Sequence, residues 1–234
     1  MHFYQTKISK SHLFNENSSS IIKLLKQTLR QDNFQQTPTN TSYTALQTEF
    51  HKCCESDDEQ NDVRWTAYLK RLEDAAKKAG LQEQFAKALV GTFGEMIGNL
   101  LDHSENPTSG IVGYRWDDSE FEYIVADLGI GVLNSLRSNE EYNYLKDSGQ
   151  ALETALKTGE SKHGKTQGNG FGFRSLIQNI ASRNSYLRFR SGDHYHMIDG
   201  TKDKMRSSTK ACSNFDGFLI SVVCKSKETV HRLT

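Results

Sequence analysis

Residues 159–173 read "GESKHGKTQGNGFGF". Two glycine signatures overlap there. Gly159, Gly164, Lys165 and Thr166 fit the phosphate-loop pattern G-x-x-x-x-G-K-[ST], and Gly168, Gly170 and Gly172 form a separate G-x-G-x-G directly after it. Either can present backbone N–H groups to phosphates, but they belong to different folds. A phosphate loop lies between a buried strand and a helix that opens at its Lys-Thr. Here the preceding "GQALETALKT" has helical spacing, and the glycines after Thr166 oppose a helix start. "FLISVVCKS", the last apolar strand, also ends without the Asp expected to help hold magnesium. The string is complete but its context is wrong, so the flanking elements must decide the fold.

Upstream, "VRWTAYLKRLEDAAKKAG" has helical spacing and ends on Gly80 as a C-terminal cap. "LQEQFAKALVGTFGEMIGNLLDHSE" makes a second, longer helix. "SGIVGYRWDD" and "EFEYIVADLG" read as two strands joined by a tight polar turn at residues 117–120. A polar segment covers residues 134–166, with one helical stretch, and a third helix, "FRSLIQNIASRN", follows the glycines. "SYLRFRSG", "HYHMIDG" and "GFLISVVCKS" close the chain as strands. This order is not the alternation of a doubly wound sheet. It predicts an α+β fold, a two-layer sandwich with helices on one face of a mixed β-sheet.

The chain has 234 residues, with 29 Lys+Arg balanced by 29 Asp+Glu. Nothing global points to nucleic acid or an anionic membrane. Cys53, Cys54, Cys212 and Cys224 form neither a disulfide framework nor a zinc pattern. No apolar run reaches membrane-span length, and the first residues lack a signal-peptide core. The expected compartment is the cytoplasm. Residues 1–60, rich in Gln, Asn, Thr and Ser, read as a partly helical or flexible extension, and residues 61–234 as the main domain.

On the second helix, Ala86, Leu89, Val90, Phe93, Met96, Ile97, Leu100 and Leu101 fall on one side at 3.6-residue spacing. Glu95, Asn99, Asp102 and His103 fall on the other, with Ala88, Gly91 and Thr92 near that face a turn earlier. A solvated polar face is the plain interpretation. Against it, no Lys or Arg occurs between Gly91 and His103, and the residues become small where a ligand would need room. From the helix alone both interpretations stand. The carboxylate, amide and imidazole could supply a base and a hard-ion ligand.

Further on, "EFEYIVADLGIGV" brings Asp127 to the end of an apolar strand, with Gly129 and Gly131 next to it. A carboxylate there can accept from an exocyclic amine such as that of adenine, and glycines admit a flat ring. Taken alone, an ordinary strand-end turn with an Asp is the better explanation.

Together the stretches "EMIGNLLDH", "DLGIGV" and "GNGFGF" occur in an order and spacing that resembles the N, G1 and G2 boxes of the GHKL ATPase superfamily, which includes DNA gyrase, MutL proteins, heat-shock chaperones and histidine kinases. The resemblance covers about residues 81–226. It implies a Bergerat-type, histidine-kinase-like ATP-binding domain that uses ATP and magnesium. Glu95 matches the general base of the hydrolysing members and Asn99 the magnesium-binding Asn. Asp102 and His103 match positions lining the nucleotide site. Asp127 matches the adenine-reading Asp, flanked by Gly129 and Gly131. Gly168, Asn169, Gly170, Phe171 and Gly172 match the phosphate-facing glycine stretch, and Lys165 becomes a lid cation. The opening question is thereby answered in favour of "GNGFGF".

The function so implied is a slow magnesium-dependent ATPase acting as a conformational switch, its lid at residues 133–167, working with a protein partner or as a self-dimer. The alternatives are a protein serine/threonine or histidine kinase of the anti-sigma-factor type, which "NLLDH" resembles, and a non-catalytic nucleotide sensor. His51 stands in no clear phosphoacceptor setting, and no transducer domain is recognisable after the ATP-binding module. Two further patterns have ordinary explanations: His194 and His196 as strand neighbours rather than metal ligands, and Arg188 and Arg190 as the solvated face of a strand.

Overall fold

The computed structural model describes residues 47–52, 59–106, 109–157, 176–178, 184–201 and 204–226. The elements are β1 (Gln47–Lys52), α1 (Glu59–Lys78), α2 (Glu83–His103), β2 (Ile111–Trp116), β3 (Glu120–Asp127), α3 (Gly131–Arg137), α4 (Ser148–Leu156), β4 (Ser185–Asp199) and β5 (Arg206–Lys225).

The fold is α+β. Gly80 ends α1 as expected: its φ of +83° is in the region glycine tolerates, and the N–H of Leu81 reaches back to the Ala76 carbonyl at 3.1 Å. The chain then reverses into α2. Asp117 closes the β2–β3 turn, its carboxylate accepting from the N–H groups of Ser119 and Glu120 at 2.8 and 2.9 Å.

The five strands are ordered β1-β2-β3-β5-β4, and every neighbouring pair is antiparallel. The expected mixed sheet is therefore corrected. The chain does cross from β3 to a strand of the same direction, β4, but β5 returns between them and separates the two. The strand count of five stands but its members differ: "SYLRFRSG" and "HYHMIDG", expected as two strands, form the single bulged β4, and β1, from within the first sixty residues, pairs with β2 from Gln47↔Trp116 to Lys52↔Ile111.

One sheet face carries the main core. Val112, Tyr114, Phe121, Tyr123, Val125, Leu187, Phe189, Ile220 and Val222 meet Tyr68 and Leu72 of α1, the apolar side of α2, and Leu152 and Ala155 of α4. Edge-on aromatic contacts, Tyr68 on Tyr114 and Phe93 on Tyr123, each with ring centroids 5.3 Å apart, lock the helices to the strands. Thr92 belongs to this core. It is buried, and its hydroxyl bonds the Leu89 carbonyl at 2.9 Å and meets the Tyr123 hydroxyl at 3.2 Å. That corrects its expected place near the polar face: bonding back into its own helix lets a threonine sit on the apolar side.

The reverse face is not solvated. Arg188 and Arg190 are 0% and 1% exposed. The bulges between Ser191 and His194 redirect the β4–β5 hairpin. Beyond them, the Tyr195 and Phe215 rings lie 5.3 and 5.5 Å from the two guanidinium carbons. Arg190 donates to the Ser213 carbonyl at 2.6 Å. Burial, with the neighbouring Arg190 charge, pushes Arg188 down to about 10. The alternation of aromatic and Arg along β4 could not reveal this, because one covering ring, Phe215, comes from β5 opposite Gly192 and the other, Tyr195, from just past the bulge. His194 and His196 bond Asp193 and Thr209, each at 2.8 Å. Among the described residues no group of His, Cys, Asp or Glu is arranged to hold a metal, and no helix is long and apolar enough to cross a membrane.

The polar stretch read as one lid is structured as far as Leu156. Leu136, Tyr142, Leu145 and Ala151 form a small cluster of their own, and Leu152 and Leu156 enter the main core. Its apolar residues are few, but α3 and α4 bring them together. Residues 158–175, with the glycine stretch, lie outside the described residues.

Candidate functional site

The site is built where β3 ends against the end of α2. Asp127 is the last residue of β3 and is 2% exposed. Its Oδ1 accepts from the Gly129 N–H at 2.7 Å. Among the described residues its buried Oδ2 has no hydrogen-bond partner, which is unusual for a carboxylate oxygen removed from water. Burial pushes this carboxyl up to about 6, while the backbone N–H groups of Gly129 and Phe218 oppose the shift. No charged side chain figures among the causes.

Backbone approaches closely at two glycines around this turn. Gly217, at φ +85°, lies so close that a Cβ there would fall 2.2 Å from the Asp127 carbonyl oxygen and 2.5 Å from Oδ1. A Cβ on Gly129 would fall 2.0 Å from the carbonyl oxygen of Ser104, the residue capping α2. The same carbonyl accepts from the Ile130 N–H at 3.0 Å. The end of α2 and the glycine turn are thus held in direct contact.

The outer face of α2 continues from that junction. Glu95 and Asp102 are exposed, Asn99 and His103 half-buried, and Gly91 and Gly94 exposed. A Cβ added at Gly91, Gly94 or Gly98 meets nothing within 4 Å. Glu95 and Asn99 are four residues apart and share a face. The opposite side of the helix, from Phe85 to Leu100, is buried as the spacing predicted.

Asp127, Gly129 and the end of α2 with Asp102 and His103 are therefore parts of one region, with Asn99 and Glu95 successively further along the helix. Gly131, at φ +75°, opens α3 beside Asp127's turn. Lys165, Gly168, Asn169, Gly170, Phe171 and Gly172 lie outside the described residues. Three contributors were not singled out from the sequence. Gly217, directly before an apolar run, carries the one usable signal, since such glycines mark close backbone approach. Ser104 and Ser191 carry none.

The residues suit an amine-bearing group: a buried carboxyl with an acceptor oxygen unpartnered among the described residues; the glycines of its turn are packed against the Ser104 carbonyl and the Ser191 hydroxyl. They suit magnesium only in company, because this ion keeps several waters and takes one or two protein ligands plus substrate phosphates. Asn99 could be such a ligand. No protein-family model matches the chain, and no curated protein matches it.

Proposed function

We propose that the chain is a magnesium-dependent ATP-binding protein with a Bergerat-type fold, and that it works as a slow ATPase and conformational switch. The observation that carries this is the buried Asp127 carboxyl, whose Oδ2 has no partner among the described residues and which sits at the junction with a helix face lined by Gly91, Gly94 and Gly98. A carboxylate removed from water without a partner is costly unless a ligand completes it.

In this proposal Asp127, ionised, accepts from the adenine amine. The turn from Gly129 to Gly131, packed against the Ser104 carbonyl and the Ser191 hydroxyl, holds the backbone beside the base. Asn99 ligates magnesium, with Asp102 and His103 lining the site between it and the base. Glu95, one turn before Asn99, orients and deprotonates the attacking water. Residues 168–172 supply backbone donors to the phosphates, and Lys165 a charge on the lid. The lid is residues 133–167, and within them α4 packs into the fold. Its ordering around the γ-phosphate would give the two states their differential contacts with a partner or a second copy.

The deciding experiment is calorimetric titration with ATP and GTP in the presence and absence of magnesium, followed by single-turnover hydrolysis. Magnesium-dependent binding selective for ATP, with slow release of phosphate, is expected. Equal affinity for both nucleotides would remove Asp127 from base recognition. Binding without turnover would assign the chain to phosphotransfer, if a protein acceptor becomes labelled, or to sensing, if none does.

A further inference from the structure

Ser191 lies on β4, far in sequence from every residue of the site, and is 2% exposed. Its hydroxyl joins three segments. It accepts from the Val132 N–H at 2.9 Å and donates to the Gly217 carbonyl at 2.7 Å. It also fills the space beside Gly131, where a Cβ would fall 2.8 Å from the Ser191 Oγ. The strand is bulged immediately after it, between Ser191 and Gly192, which frees the side chain from the regular pleat.

The Gly217 carbonyl and the Phe218 N–H belong to one planar trans peptide unit, so fixing one end orients the other. That N–H acts on the Asp127 carboxyl. Asp127 and Phe218 are also directly paired between β3 and β5. A continuous chain of polar groups therefore runs from Val132 through the Ser191 hydroxyl and the Gly217–Phe218 peptide to Asp127. Each donor in such a chain polarises the next. Among the described residues the partners of the Asp127 carboxyl are backbone groups, so these neighbours orient its second oxygen.

We propose that Ser191 is the positioning residue that sets base selectivity at the Asp127 site, by holding the Gly217–Phe218 peptide and the Gly131–Val132 turn in one register around the carboxyl. This rests on the nucleotide reading of that site. The substrate class it selects is a purine with an exocyclic amine where the carboxylate accepts, against one with a carbonyl there. Without the hydroxyl, Gly217 can rotate and the turn can slide, and Asp127 no longer offers its oxygen at a fixed place. Discrimination suffers first, because a misplaced acceptor weakens the amine contact while the remaining contacts, common to both bases, persist.

The experiment compares ATP and GTP affinities of wild type, Ser191→Ala and Ser221→Ala by calorimetry, beside thermal melts. Ser221 is a matched control: it is buried on β5 and its hydroxyl donates to Glu122 at 2.6 Å, on the reverse face. Ser191→Ala should lower the ATP-to-GTP affinity ratio about tenfold, the scale of one hydrogen bond to a charged group. Ser221→Ala should lower the melting temperature similarly and leave the ratio unchanged. If Ser191→Ala does not fold, Ser191→Cys replaces it: a longer, weaker bond through sulfur should give an intermediate ratio. A folded Ser191 variant with the wild-type ratio overturns the proposal while leaving the ATP site intact. Wild type that binds neither nucleotide overturns the site assignment itself, and this inference with it.

Discussion

The carbonyl oxygen of Ser104 occupies the space a side chain on Gly129 would need, 2.0 Å from its Cβ position. The end of α2 and the turn after β3 can meet only because residue 129 has no side chain. The Ile130 N–H then bonds the same oxygen, so a single carbonyl both excludes a side chain and anchors the next residue.

Gly129→Ala should therefore destabilise the protein by about 1–3 kcal/mol, the usual scale of overpacking, and weaken ATP binding as α2 is pushed aside. Gly94→Ala and Gly98→Ala should do the opposite to stability. Nothing lies within 4 Å of the added methyl, and alanine in a helix interior gains about 1 kcal/mol over glycine. If that face receives a nucleotide, Gly98→Ala will still cost affinity. Urea unfolding beside calorimetry separates the two effects, and a stabilised Gly98→Ala with unchanged binding argues for a merely solvated face.

Asp127 predicts a pH dependence of defined sign. Its ordinary value is 3.8, and burial raises it to about 6 in the folded protein. Between these values the folded state binds the proton more tightly than the unfolded chain. The stabilisation from this group is complete below about 3.8 and is lost as pH rises through about 6. Asp127→Asn, which stays neutral, should be more stable than wild type at neutral pH by about 1–3 kcal/mol, given about 1.4 kcal/mol per pKa unit. The two should converge in acid. Binding should behave inversely: wild-type affinity for ATP falls as pH drops through about 6, because the ionised carboxylate accepts from the amine more strongly than the neutral acid does. Denaturation and titration across that range test both. A flat wild-type binding profile would falsify the role of Asp127.

Glu95 and Asn99 separate chemistry from ion binding on one face of α2. Glu95→Ala should leave ATP affinity within a few-fold and slow turnover by roughly a hundredfold or more, the scale of losing a general base. Asn99→Ala should remove the magnesium dependence of binding, because it deletes an ion ligand. Magnesium-titrated binding curves and single-turnover hydrolysis read the two effects independently. Turnover unaffected by Glu95→Ala would assign the base elsewhere.

The overlapping glycine signatures can be separated by two substitutions. Gly170→Ala should damage nucleotide binding by restricting the backbone and crowding the phosphates. Lys165→Ala should cost less than the lysine of a true phosphate loop. The reverse ranking in a calorimetric comparison would restore the phosphate-loop interpretation.

What the sequence determined alone is what depends on neighbours along the chain. The C-terminal end of α1, the apolar side of α2, the β2–β3 turn and the apolar run leading into Asp127 were legible because a helix cap, a 3.6-residue period and a polar turn are local patterns. Tertiary structure alone decided the rest. Thr92 turned inward to meet Tyr123, 31 residues away, and the Arg188 and Arg190 guanidinium groups were covered by Tyr195, past the β4 bulge, and by Phe215 of β5. Strand order was equally hidden, since β5 inserts between two strands that precede it. The support of Asp127 was the least legible feature: the Ser191 hydroxyl reaches Val132 across 59 positions and Gly217 across 26. A serine's hydrogen-bonding capacity is the same anywhere in a sequence. Which backbone groups it satisfies is decided only when the sheet closes and brings them, already removed from water, within its reach.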